Sequence, residues 1–291
     1  MKIELKNVSK TIKGQPILTN FSWSIDEPGI YAVLGPNGAG KTTMMQILSG
    51  LSLHDSGEVL VNGESPFNNR RILPEIGFVQ ESNNFKPTLT IEQVIRTVQP
   101  FYRNWNHSLA QELLDTFNLP RKKRLDQLSK GMGSALNMII GLASRASLTI
   151  FDEPYIGMDA SARKTVYQAI LDDFLEYPRI ILFSTHFIEE TENLFQSVCI
   201  IEQGSKSFEA NVDELSERTL QITGPKDVVF KLAEEATTLL SSSTFMSEAS
   251  ISVLLNEGEA LDIPPTCKSE SLSLQEFFVG LTNLSKEGEH A

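Results

Sequence analysis

Apolar residues recur along the 291-residue chain in three rhythms, and each rhythm predicts a different element. Ile3-Glu4-Leu5-Lys6-Asn7-Val8 and Phe21-Ser22-Trp23-Ser24-Ile25 alternate with period two, as half-buried antiparallel strands do. Gly57–Gly63 is a further strand bounded by turn residues. Continuous apolar runs at Ile30–Leu34, Ile76–Val79, Leu148–Phe151, Ile180–Phe183 and Val198–Ile201 read as buried strands. The third rhythm is helical. Ile91, Val94, Ile95 and Val98 share one face; so do Leu109, Leu113, Leu114 and Phe117, and then Leu136, Ile139, Ile140 and Ala143. Thr90, three residues before Gln93, predicts a capping box. A helical stretch, Ser161–Leu175, lies between two apolar runs, which is the βαβ rhythm of a parallel sheet.

These elements predict an α/β fold over residues 1–212, with an antiparallel β subdomain near the start and a helical insertion over about 85–140. Beyond it, Leu220-Gln221-Ile222 and Ile251–Leu255 read as strands. Val228, Val229, Leu232, Ala233, Ala236 and Leu240 form one helical face, and Leu274–Leu284 another. Residues 213–291 are therefore expected to form a small α+β accessory domain, either supporting dimerisation or regulation or serving as a packing appendage.

Charge sharpens that boundary. The net charge is −12, and residues 213–291 carry 14 acidic and 5 basic residues, a net of −9. No basic excess exists to meet nucleic-acid phosphates, so no nucleic-acid partner is expected. The basic run Arg121–Arg124 reads as a solvated loop after Pro120. Cys199 and Cys267 are the only cysteines, too few for a disulfide framework or a cysteine metal site, and a reducing cytoplasm fits. The opening Met1–Leu5 alternates charge with apolar residues, unlike a signal peptide. No apolar stretch reaches about 18 residues, so a membrane role would come through a partner.

Gly35-Pro36-Asn37-Gly38-Ala39-Gly40-Lys41-Thr42-Thr43 fits G-x-x-x-x-G-K-[ST], between a predicted strand and a predicted helix. Its backbone N–H groups converge on phosphate oxygens, Lys41 reaches the β/γ-phosphates and Thr42 can ligate magnesium. A plain glycine turn is the alternative, but motif and setting agree, which predicts nucleoside triphosphate binding. Leu148–Glu153 is a buried strand ending in two carboxylates, at the edge where open parallel sheets bind ligands. Neighbouring strand residues point opposite ways, so Asp152 would hold Mg2+ and Glu153 would polarise the attacking water. His186, after the next strand, is placed to contact the γ-phosphate. Leu128-Ser129-Lys130-Gly131-Met132 precedes a helix: Ser129 and Gly131 either cap it or form a second anion site there.

In this order the elements resemble the ATPase subunit of ABC transporters over about residues 1–212. The resemblance makes Gly35–Thr43 the Walker A motif, Leu128–Met132 the signature, Leu148–Glu153 Walker B, Ile156–Asp159 the D-loop and His186 the switch histidine. Gln80 falls in the Q-loop as a Mg2+ ligand, although an ungapped alignment on Pro87 puts Glu81 there instead. It further implies ATP with Mg2+, hydrolysis, and a second ATPase subunit, homo- or heterodimeric, whose bound γ-phosphate Ser129 and Gly131 would contact. It implies a transmembrane permease docked on the helical insertion, and so a peripheral place on the inner face of the membrane. The signature form LSKGM points to an exporter; Phe101–Asn106 and Asp152–Tyr155 look closest to ABC-2-like ATPases encoded with GntR-family regulators. Met132 replaces the signature glutamine. The adenine-stacking aromatic of the family falls at Ile12, leaving van der Waals contact without π-stacking. A soluble ABC ATPase without a permease, acting in translation or on DNA, is the alternative; such proteins resemble tandem cassettes or cassettes split by long coiled coil, and neither feature is present.

Overall fold

The computed structural model describes residues 1–80 and 85–287, so Glu81, the alternative to Gln80, lies outside the described residues. The chain divides into two compact units: Met1–His186 with Leu194–Glu209, and Phe187–Asn193 with the chain from Ala210 onward.

The first unit opens with β1 (Ile3–Ile12) and β2 (Gln15–Ile25), then β3 (Gly29–Leu34), α1 (Lys41–Leu48), β4 (Ser56–Val61) and β5 (Ile76–Val79). Strands β2-β1-β4 form an antiparallel sheet, whose alternating inward residues (Ile3, Leu5, Val8, Phe21, Trp23, Ile25) join the core. Next come α2 (Ile91–Val98), α3 (His107–Thr116), α4 (Lys130–Ser144), β6 (Leu148–Asp152), α5 (Ala160–Glu176) and β7 (Ile180–Ser184). The short α6 (Ile188–Thr191) belongs to the second unit, after which β8 (Ser197–Glu202) and β9 (Ser205–Asn211) complete a six-stranded sheet of order β5-β6-β7-β3-β8-β9. Pairing from β5 to β8 is parallel. Every residue of β6 and β7 is buried, as expected of strands covered on both faces.

The predicted capping box is present: Gln93 N–H donates to Thr90 Oγ1 at 3.3 Å, and Thr90 N–H to Gln93 Oε1 at 2.9 Å. The helix expected to carry Leu136, Ile139, Ile140 and Ala143 is present. Helix α4 runs on to Ser144 and lies against the sheet, so close that a Cβ on Gly141 would meet Val79 and Phe151 side chains at 2.6 Å. It is therefore also the helical connection leading into β6.

In the second unit, α7 (Val212–Arg218), β10 (Thr219–Pro225), α8 (Lys226–Glu235), β11 (Thr238–Phe245), β12 (Glu248–Leu254), β13 (Lys268–Ser271) and α9 (Leu274–Glu287) follow in order. The antiparallel sheet β11-β12-β10-β13 packs with α8 around Ile222, Val229, Leu232, Ile251 and Val253. The helical face expected to reach Leu240 ends sooner. Helix α8 stops at Glu235, Ala236 is extended, and Leu240 is the buried residue of strand β11. Thr237 and Thr238, β-branched, followed by Ser241–Ser243 are weak helix formers, and that overrides the chance 3.6-residue spacing.

Candidate functional site

The phosphate loop connects β3 to α1. Gly40 is the residue before the helix, at φ 106°, and a Cβ there would meet Ile17 O and Leu18 Cδ2 at 2.8 Å. Only glycine fits that approach. The loop is braced from outside: Gly204 N–H donates to Ala39 O at 3.1 Å, and Thr19 N–H to Gly204 O at 3.0 Å. Lys41 is buried, with Nζ donating to Gly35 O at 2.6 Å and Pro36 O at 3.1 Å. Two of three ammonium donors thus brace the loop, leaving a third to turn toward an anion. Burial pushes the Lys41 ammonium below its ordinary range, while the charges of Glu153 and Asp152 act the other way.

A cavity of about 250 Å³ is lined by Ile17, Asn37, Gly38, Ala39, Gly40, Lys41, Thr42, Thr43 and Glu153. The hairpin residue beside the loop is thus Ile17, whereas Ile12, the position expected from the resemblance, pairs with Gln15 at the hairpin end and is 42% exposed. Ile17 is the extra residue of β2 between Pro16, which pairs with Thr11, and Leu18, which pairs with Lys10, and the bulge brings it beside the loop.

The two carboxylates reach the loop by different means. Asp152, the last residue of β6, accepts the Thr42 hydroxyl on Oδ2 at 2.7 Å and the Ser184 hydroxyl on Oδ1 at 2.6 Å. Glu153 leaves the strand at φ 45°, in the left-handed region, and lines the same cavity. A backbone turn, and not the alternation of a strand, therefore aims Glu153. His186 Nδ1 lies 3.3 Å from Glu153 Oε2, and the Tyr155 ring stands edge-on to His186 with centroids 5.9 Å apart. Tyr155 is buried, its hydroxyl donating to Ser184 O at 3.4 Å, and burial pushes its phenol well above the usual tyrosine range. Thr42 and Asp152 offer a hard-oxygen pair of the kind Mg2+ takes alongside nucleotide phosphates. Among the described residues no cluster of three or more His, Cys, Asp or Glu could hold a metal by itself.

Other sequence-derived positions lie elsewhere. Gln80 follows β5, its carbonyl accepting Asn137 Nδ2 at 3.2 Å, and lines a second cavity of about 360 Å³ with Leu51, Leu73, Phe101 and Tyr102. Ser129 caps α4 through Met132 N–H at 3.2 Å. Gly131 sits so close to the D-loop that a Cβ would meet Gly157 O at 2.6 Å, and Ser134 Oγ donates to Ile156 O at 2.7 Å. Neither Ser129 nor Gly131 lines the phosphate-loop cavity of its own chain. Ile17 and Ser184 have no role assigned from the sequence, and the pairing of their strands brings them to the site, whereas Tyr155 ends the Asp152–Tyr155 stretch that carries the resemblance.

A parallel sheet whose C-terminal edge joins a phosphate loop to a threonine–aspartate pair and a second carboxylate defines a P-loop nucleoside triphosphatase. The ABC transporter family model matches residues 18–156. The ABC transporter ATP-binding protein YtrB of Bacillus subtilis is 30% identical over 231 residues, 79% of each chain. The Nod factor export ATP-binding protein I of Burkholderia lata is 30% identical over 234 residues, 77% of each. Among solved structures, the dimeric post-hydrolysis ATP-binding cassette MJ0796 bound to ADP and Pi superposes with a TM-score of 0.62 at 25% identity, covering 72% of this chain and 98% of that one. The chain belongs to the ATP-binding subunits of ABC transporters, and it is an ATPase.

Proposed function

We propose that the chain is the ATP-hydrolysing subunit of a bacterial ABC exporter and energises a separate transmembrane permease. The observation that carries the catalytic part is the convergence of the phosphate loop, the Thr42–Asp152 pair and the Glu153–His186 pair on one edge of the sheet. Glu153 polarises the attacking water and His186 contacts the γ-phosphate. Lys41, with the loop Gly35–Thr43, holds the β- and γ-phosphate oxygens. Thr42 and Asp152, with Gln80 from the neighbouring groove, would hold Mg2+, which would supply positive charge to offset that of the phosphate oxygens. Ser129 and Gly131 serve the ATP of a second ATPase subunit, a reading supported by their lying outside their own chain's cavity.

The groove beside Gln80 receives the cytoplasmic segment of the permease. Its rim carries Leu51 at 60% and Phe101 at 67% exposure, the kind of grouped apolar surface that marks a protein contact. No described helix is long and apolar enough to cross a membrane, so this contact holds the subunit at the inner face of the cell membrane. Residues 1–212 form the ATPase domain and 213–291 an accessory domain, whose acidic balance argues against nucleic acid as a partner.

Glu153→Gln is expected to lower ATP turnover by about 10²–10⁴-fold, the range of general-base catalysis, while an ATP analogue still binds. Turnover at the wild-type rate would remove Glu153 from this role. Pull-down from membranes in mild detergent, with ATPase assayed on the eluate, is expected to recover multispanning proteins. Ribosomes or DNA in their place would support a soluble ABC ATPase instead.

A further inference from the structure

Ser184 ends β7 at the centre of the six-stranded sheet, paired with Asp152 on one side and Val33 on the other, and is fully buried. Its hydroxyl donates to Asp152 Oδ1 at 2.6 Å and accepts the Glu153 N–H at 3.0 Å. A hydroxyl has one proton and two lone pairs, and an ionised carboxylate only accepts. The proton must therefore face Asp152, which leaves a lone pair for Glu153; the two bonds cannot exchange direction. The second oxygen of Asp152 is held by Thr42, so the carboxylate is gripped from both sides. The same hydroxyl fastens the backbone where Glu153 turns to φ 45° and its side chain swings to the phosphate-loop cavity.

We propose that Ser184 is a positioning residue for ATP hydrolysis: one hydroxyl orients the Asp152 carboxylate and holds the turn that aims Glu153. The inference rests on Asp152 as a Mg2+ ligand and Glu153 as the water-polarising base. Hydrogen-bonded partners behind a metal ligand are worth about 10–100-fold in metal affinity or activity. Ser184→Ala is therefore expected to lower kcat by about that factor with KM for ATP little changed. Mn2+ binding to the ATP-loaded protein, followed by electron paramagnetic resonance, is expected to weaken about tenfold, while ATP binding in EDTA stays as in wild type.

Ser184→Thr, which keeps the hydroxyl, is expected to recover most of both losses. Ser184→Cys, close in shape but a weak donor, is expected to behave like Ser184→Ala and serves if the alanine variant does not fold. Wild-type kcat and Mn2+ affinity in the alanine or cysteine variant would overturn the proposal. So would an equal loss in Ser184→Thr, because the position would then be sensing volume and not the hydroxyl. The Mn2+ measurement does not involve Glu153. If Glu153→Gln turned over ATP normally, the base reading would fall, and Mn2+ binding to Ser184→Ala would still decide the bond from Ser184 to Asp152.

Discussion

At Gly40 the backbone takes a conformation that a side chain rarely adopts, and a methyl group would press on Ile17 O and Leu18 within 2.8 Å. Gly40→Ala must therefore shift the loop or β2, and the loop's value lies in fixed N–H directions. Misplacement by about 1 Å can cost about 100-fold at such a site. Binding of a fluorescent ATP analogue is expected to weaken by about that factor, with stability reduced by about 1–3 kcal/mol from the strained backbone. Binding at wild-type strength would mean the loop tolerates the shift. Gly35–Thr43 and the Asp152-Glu153 pair were legible in the sequence because their chemistry is encoded in consecutive residues. Ile17 was not, since it reaches the loop as an extra residue of β2 that no sequence pattern marks; Ser184 was legible as the end of its strand beside the carboxylate edge, but its bonds to Asp152 and Glu153 were not. The left-handed turn at Glu153 has no sequence signal either: glutamate is an ordinary residue there, and its neighbours impose the conformation.

Between elements, a buried ion-pair cluster in the first unit joins α4, α5 and β6. Asp173 on α5 is fully buried and pairs with Arg179 Nη2 at 2.7 Å and Arg145 Nη2 at 3.0 Å. Arg145 ends α4, and Arg179 reaches Thr149 Oγ1 on β6 at 3.1 Å. Burial pushes the Arg179 guanidinium below its usual range, with Asp173 acting the other way. Asp173→Asn takes the carboxylate from the buried Arg179, while Arg145 keeps Glu176 Oε2 at 2.7 Å, and is expected to cost about 3–5 kcal/mol, read from urea denaturation. A change under about 1 kcal/mol would mean that water reaches the arginines. This cluster was invisible in the sequence, because a carboxylate on a helix is usually solvated and nothing local distinguishes Asp173 from Asp172. The elements themselves were largely legible where one period dominated, as in β6, β7 and α2 with its capping box. They were illegible where two periods fit, as at Leu240, whose helical spacing from α8 is incidental to its place in β11.

Across the whole molecule, the chain passes from the first unit to the second immediately after His186 and returns at Leu194. Within the second unit that excursion is anchored on α9: Glu192 accepts the Leu274 N–H at 3.0 Å, and Ser273 and Glu276 complete a capping box on the same turn. The peptide that follows the γ-phosphate-sensing candidate is thus continuous with a segment fixed to the start of the final helix. If that anchor restrains the excursion, loosening it should be felt at both ends. Glu192→Ala removes one acceptor from the first turn of α9, a loss of about 1 kcal/mol. Amide hydrogen exchange is expected to quicken about fivefold at the start of α9, and also across Phe187–Thr191, where Ile188 and Thr191 are buried. Faster exchange confined to α9 would show that the excursion is held by its own packing, leaving the continuity from His186 to the second unit without mechanical consequence.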